Sequence, residues 1–188
     1  MTRSGERWRL FVATPVPYER LAELERETEL LRERWPDARW IPPANQHVTL
    51  RFLGATPLGL LAPLGEVLGA TAARARPEEI SLRGFGAFPT AARARVLWAG
   101  IDDPAGLLSG LARSLDDALK GLGFEPEERD YTPHLTLARF RSPVRLAELP
   151  AHDPALEPFS VTEMILYRSH TSPKGARYEP LAHYPLRG

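Results

Sequence analysis

The chain has 188 residues, 43% of them apolar and 26% charged, with 24 basic residues balancing 24 acidic ones. That is the composition of a soluble globular protein, long enough for one ordinary domain or two small lobes sharing a core. Zero net charge excludes long-range capture of a polynucleotide, so any anion site has to be built locally. The lack of cysteine excludes disulfides, thiolate catalysis and cysteine-ligated zinc.

Lys120 and Lys174 are the only lysines, so nearly all positive charge is guanidinium. Arginine forks suit phosphate, although a GC-rich coding bias accounts for them equally well. Met1 to Arg9 is polar, without an apolar signal segment, and no later run reaches membrane-spanning length. The expectation is a cytoplasmic protein that does not engage a membrane.

Trp8 to Ala13 reads as a first strand, ended by Pro15 and Pro17. Tyr18 to Arg34 places Leu21, Leu24, Leu30 and Leu31 at helical spacing behind a charged face. Arg39-Trp40-Ile41 is a short extended piece before Pro42-Pro43, and a strand containing Asn45 to Gly54 follows. Leu58 to Ala75 is a second helix, with Pro63 in its first turn or at a kink. Glu79 to Phe88 and Arg95 to Ile101 are strands joined by a turn, and Pro104 to Gly121 is a third helix with glycine behind it. Tyr131 to Phe140 is another strand. A proline-rich connector (Pro143 to Pro158) leads to a final strand pair, Phe159 to Ser169 and Tyr178 to Leu186, joined through Ser172-Pro173-Lys174-Gly175. This order predicts an α+β fold with largely antiparallel sheets.

Two stretches repeat one another. Asn45-Gln46-His47-Val48-Thr49-Leu50 and Thr132-Pro133-His134-Leu135-Thr136-Leu137 both read His, aliphatic, Thr, Leu. In a strand, residues two apart share a face, so His47 with Thr49, and His134 with Thr136, oppose the aliphatic positions. The aliphatic faces would anchor both strands in a core, leaving the His/Thr faces to line a cleft. The arrangement expected is bilobal and pseudo-two-fold. Two largely antiparallel sheets would line a central cleft with helices outside, and residues 1–188 would form one domain.

A histidine near its unperturbed pKa of about 6.5 can give or take a proton at neutral pH. Two of them across a phosphorus atom can serve one in-line displacement, one activating water and the other protonating the departing alkoxide. The threonine hydroxyls would hold the non-bridging oxygens between them. A protonated leaving group and a strained five-membered cyclic phosphate would make a metal unnecessary. The symmetry of the motifs leaves open which histidine is acid and which is base.

The two motifs resemble those of the two-histidine phosphoesterase superfamily. The chain is similar to its RNA 2′,3′-cyclic phosphodiesterase branch, the LigT-like proteins formerly named 2′-5′ RNA ligases. Arg-Leu-Phe-Val-Ala at 9–13, the two motif strands, Val-Leu-Trp-Ala-Gly at 96–100 and Leu-Tyr-Arg-Ser at 166–169 carry the likeness along nearly the whole chain. The resemblance implies a monomeric enzyme without metal or other cofactor, opening a 2′,3′-cyclic phosphate to a 2′-phosphomonoester. Its partner would be RNA with such a terminus, tRNA fragments included, and no protein partner is implied. By the same resemblance His47 is the proton donor and His134 the acceptor, while Thr49, Thr136 and Arg139 bind phosphate and Phe11 stacks on the terminal base.

Plainer readings stand beside these. Arg139 alone would be a surface charge, and Phe11 a core residue. Arg51 is at most a rim contact, Trp40 and Trp98 are packing residues, and Arg93 with Arg95 belong to a solvated turn. His152, His170 and His183 lack metal-ligand spacing and read as surface or hairpin residues. Neither lysine lies in a Lys-x-Asp-Gly setting, so ATP-dependent ligation is not expected, whereas reversal of a phosphodiester cleavage is permitted. The alternatives are 2′-5′ linked or small-nucleotide cyclic phosphate substrates, or a non-catalytic module that binds RNA ends.

Overall fold

The computed structural model describes residues 5–146, 156–172 and 175–188. The first half of the chain forms β1 (Arg7–Thr14), α1 (Tyr18–Glu27), α2 (Glu29–Arg34), β2 (Arg39–Trp40), β3 (Val48–Pro57) and α3 (Leu61–Ala73). The rest forms β4 (Glu78–Phe88), β5 (Ala94–Asp102), α4 (Leu107–Leu119), β6 (His134–Val144), β7 (Phe159–Val161), β8 (Glu163–Ser172) and β9 (Gly175–Pro185). The expected α+β class holds.

Strand order is β7-β4-β5-β6-β3-β1-β8-β9, with β2 added beside β6, and every pairing is antiparallel. The halves are related by their order. From the middle outward, one side runs β3, β1, β8, β9 and the other β6, β5, β4, β7. The two motif strands are the innermost pair. They meet through Val48 and Leu135, the residues immediately after the two histidines. The two expected sheets are therefore joined into one curled surface at the place where the motifs lie.

The aliphatic positions anchor these strands as their alternation predicts. Val48, Leu50, Leu135 and Leu137 are all buried, each such side chain contributing about 1.5–3 kcal/mol relative to exposure. Leu64 and Leu68 of α3, with Leu108, Leu111, Leu115 and Leu119 of α4, join the same core. The two helices pack on each other, and α3 also packs on β9 and α4 on β3.

Three boundaries differ from the sequence reading for identifiable reasons. The helix expected over Tyr18–Arg34 breaks at Thr28, whose hydroxyl bonds back to the Glu25 carbonyl at 3.1 Å. Such local bonding competes with helix continuation. The buried stripe nevertheless runs on at helical spacing through Leu21, Leu24, Thr28 and Leu31, leaving Leu30 off it and 76% exposed. The helix expected from Pro104 begins at Leu107, because Gly106 turns the chain at φ +69°. The Asp103 carboxylate then accepts the Leu107 and Leu108 N–H groups at 2.9 Å each. The expected strand Phe159–Ser169 is two, β7 and β8, which pair with opposite sides of the molecule. Pro63 lies in the first turn of α3. His152, Pro173 and Lys174 fall outside the described residues, as does most of the proline-rich connector, although Ser172 and Gly175 pair across the expected turn.

Candidate active site

The Val48–Leu135 bridge determines what faces what. Continuing that antiparallel register by one residue sets His47 opposite Thr136 and Thr49 opposite His134. All four side chains then project from the face opposite the buried aliphatics. Each keeps part of its surface open to solvent. A second link crosses the seam beside them, the Tyr131 hydroxyl donating to the Thr49 carbonyl at 3.0 Å. Burial raises the pKa of this phenol, so it keeps its proton and its bond.

Both imidazoles are tethered in the same way. His134 Nδ1 lies 2.7 Å from the Thr132 carbonyl, and His47 bonds to the Asn45 carbonyl, again two residues upstream. A carbonyl only accepts, so Nδ1 of His134 carries the proton and Nε2 is left for the cleft. Asn45 is itself held, its Nδ2 donating to the Ala176 carbonyl of β9 at 2.8 Å.

The surroundings of the two rings differ. His47 packs against Phe11 (4.8 Å between centroids), Tyr178 (5.1 Å) and Tyr167 (5.9 Å). Burial pulls its pKa down to about 4, with the charge of His134 lowering it further and the Asn45 bond opposing both. His134 has Phe88 edge-on at 5.0 Å and Trp98 at 6.1 Å. Its pKa is also lowered, first by burial and then by the positive charge of Arg139, against the raising effect of the Thr132 bond. Trp98, expected as a packing residue, is also part of this wall. Its indole covers Gly86 so closely that a Cβ there would lie 2.1 Å from it.

Arg139 is five residues past His134, an odd offset that would aim it away from a regular strand's His/Thr face. The structure resolves this with a bulge. Leu97 pairs with Ala138 and Trp98 with Thr136, leaving Leu137 as the extra residue. Leu137 and Ala138 are both buried, the alternation flips, and Arg139 is exposed on the histidine face. Its charge is felt at His134. The same happens on β3. Val12 pairs with Arg51 and Ala13 with Thr49, so Leu50 is the extra residue and Leu50 and Arg51 are both buried.

That second bulge corrects the reading of Arg51 as a rim contact. Arg51 is 6% exposed and faces the core side, with Nε 2.7 Å from Asp116 of α4 and further contacts to the Glu127 carboxylate and the Glu125 carbonyl. Phe52, the next residue, takes the position on β3 that Arg139 takes on β6. It is 59% exposed, lies directly across from Phe11 and touches it at 6.2 Å. Sequence reasoning missed Phe52. Without knowledge of the bulge, its odd offset from His47 points it into the core. Phe11, expected to stack on a base, is 3% exposed and packed among His47, Tyr167, Tyr178 and Phe52. It supports the His47 ring and has little surface left to offer a ligand.

Two open hollows flank the pair. One of about 320 Å³ lies beside His134, bounded by Trp98, Gly100, Thr132 and Pro133. The other, about 280 Å³, is bounded by Tyr18, Gln46 and Tyr167 on the His47 side. His170 and His183 lie away on the β8–β9 hairpin, paired with Glu179 at 2.6 Å and Glu163 at 2.9 Å. Among the described residues no three His, Asp or Glu side chains converge as a metal site, and no helix is long and apolar enough to cross a membrane.

Comparison with known proteins finds relatives for the sequence and the fold. An RNA 2′,3′-cyclic phosphodiesterase of Methanothermobacter thermautotrophicus is 35% identical over 95% of this chain and 98% of its own. A protein of the same name from Geobacillus stearothermophilus is also 35% identical over 95% of this chain, which spans only 57% of that relative's length. Among solved structures, TT0787 of Thermus thermophilus superimposes with a TM-score of 0.82 at 29% identity, covering 96% of this chain and 98% of that one. E. coli LigT complexed with 3′-AMP gives 0.81 at 27% identity, covering 97% and 100%. Residues 18–173 match the 2′-5′ RNA ligase superfamily as a whole, and the chain belongs to that superfamily.

Proposed function

We propose that this protein hydrolyses RNA 2′,3′-cyclic phosphate ends to 2′-phosphomonoesters, using His47 and His134 as a general acid and base without a metal. The observation that carries the reading is the central seam, where two imidazoles share one face, each with a threonine of the other strand opposite it. His134 Nε2 takes a proton from water as the water oxygen bonds to phosphorus. The bond from phosphorus to O3′ breaks, and His47 supplies the proton that O3′ needs to leave as a hydroxyl. Water has then been added across one ester bond, and solvent exchange resets both rings. Thr49 and Thr136 donate hydroxyls to the non-bridging oxygens, and Arg139 balances their charge. Phe52, rather than the enclosed Phe11, offers its ring to the terminal base.

The names of the curated relatives support RNA cyclic phosphate as the substrate. The same reading has the protein act as a monomer in the cytoplasm, which light scattering and fractionation check. One observation favours exchanged roles. His47 is the drier ring and in the free protein takes up its second proton only below about pH 4, which suits a base better than an acid. The deciding experiment gives an oligoribonucleotide with a 2′,3′-cyclic phosphate end to wild type, His47→Ala and His134→Ala, with EDTA throughout. A 2′-phosphate product from wild type, with both variants nearly inactive, is the expected result. Turnover untouched by both substitutions would leave a binding module. Leaving-group analogues with a sulfur at O3′, which need no protonation, should rescue only the variant that lacks the acid.

A further inference from the structure

Arg39 and Arg139 are direct partners in the short β2–β6 pairing. Residues directly opposite in antiparallel strands share a face, with Cβ atoms about 4.5–5.5 Å apart, and like charges so placed repel. Arg139 is on the histidine face because of the Leu137 bulge, so Arg39 is there too. Both side chains are exposed, and among the described residues neither guanidinium is matched by a carboxylate. The Arg39 head also lies close to the start of β9, for a Cβ on Gly175 would be 3.0 Å from its Nη2. A repelling pair at the mouth of an anion site is relieved by a second anion.

We infer that Arg39 binds the phosphodiester immediately preceding the nucleotide that carries the cyclic phosphate. The inference rests on the proposed function and narrows it. One guanidinium meets the reacting phosphate and its neighbour meets the next phosphate along the strand, so RNA ends are preferred over free cyclic mononucleotides. In a chain of zero net charge a local contact of this kind supplies such a preference without a net attractive field.

The test compares a nucleoside 2′,3′-cyclic monophosphate with a trinucleotide ending in the same cyclic phosphate, for wild type, Arg39→Ala and Arg39→Lys. Wild type should favour the trinucleotide in kcat/KM. Arg39→Ala should cost about tenfold on the trinucleotide through KM, as for a lost charge-assisted contact, and less than twofold on the mononucleotide, which also reports that the variant is folded. Arg39→Lys should recover part of the loss. The slope of log kcat/KM against log salt for the trinucleotide should become shallower by about 0.7 in Arg39→Ala, the value for one phosphate contact to a single strand. A trinucleotide with an uncharged methylphosphonate at that linkage should lose its advantage with wild type and be indifferent to the substitution. Equal losses on both substrates, or none on either, would overturn the role of Arg39 while leaving the phosphodiesterase reading intact. A wild type that turns over neither substrate would overturn that reading, and this one with it.

Discussion

The His47 strand and the His134 strand share a backbone plan and diverge in what they hang on it. Each is entered at a histidine, the last residue before β3 and the first of β6, that is tethered to a carbonyl two residues upstream; each buries the next residue at the seam and bulges after the threonine. Past the bulge they part. On β3 the inward position is Arg51, tied to Asp116 of α4, and the outward one is Phe52. On β6 the same positions hold Ala138 and Arg139. One strand delivers an aromatic face to the cleft and the other a positive charge. A near-symmetric frame thereby makes an asymmetric site, suited to a nucleotide with a flat base at one end and an anion at the other.

The severest way to break the comparison is to remove either imidazole. His47→Ala and His134→Ala should each lower kcat by about 10²–10⁴, the usual worth of a positioned acid or base, in single-turnover assays on a cyclic phosphate end. A loss confined to one of them would show that the pair does not act together.

Arg51→Ala tests the inward positions. It strands the Asp116 carboxylate, whose side chain is 27% exposed, and leaving a partly buried polar group without its partner in this way costs about 1–3 kcal/mol. Urea unfolding should register that loss. Arg51→Met, which fills the same space without charge, should cost less, and binding of phosphate should survive in both.

The outward positions give opposite signatures. Arg139→Ala should reduce kcat/KM similarly for every terminal base. Phe52→Ala should cost about 1–3 kcal/mol of stacking, appearing in KM and varying with the base, while Phe52→Tyr should be nearly neutral. A base-independent effect of Phe52→Ala would remove it from the site.

The mildest probe is pH. The unfolded chain holds the His47 proton up to about 6.5, whereas the folded protein releases it above about 4. The unfolded state therefore binds more protons between these values, and stability should fall as pH drops through that window. Thermal melts of His47→Asn should be flatter than wild type from pH 6.5 to 4. Those of His134→Asn should flatten too, because burial and Arg139 also hold that pKa down.

Alternation, proline placement and the duplicated His-x-Thr made the frame legible. They identified the motif strands, their buried sides and the four residues that meet at the seam. What alternation cannot report is a bulge, since one extra residue reverses the side on which every later side chain falls. Arg51 reads as a rim contact and Phe52 goes unnoticed for that reason, and Arg139 is placed only through the family resemblance. The break at Thr28 is a milder case, because a hydroxyl bonding backward interrupts the helix without moving the leucines off their buried stripe. Phe11 went astray for another reason. An aromatic on an inner strand has the same sequence appearance whether a ligand or a catalytic ring lies against it, and here the neighbour is His47.

The seam has a mechanical consequence. The motif strands join the two halves through the pair Val48 and Leu135, with the Tyr131 bond beside it, and both histidines sit one residue from this pivot. Displacement in a rotating body grows with distance from its axle, so twisting of one half against the other would swing the outer rims widely while scarcely changing the spacing of the imidazoles. Such twisting works against the α3–α4 packing and the tie from Arg51 to Asp116 of α4, which also cross between the halves.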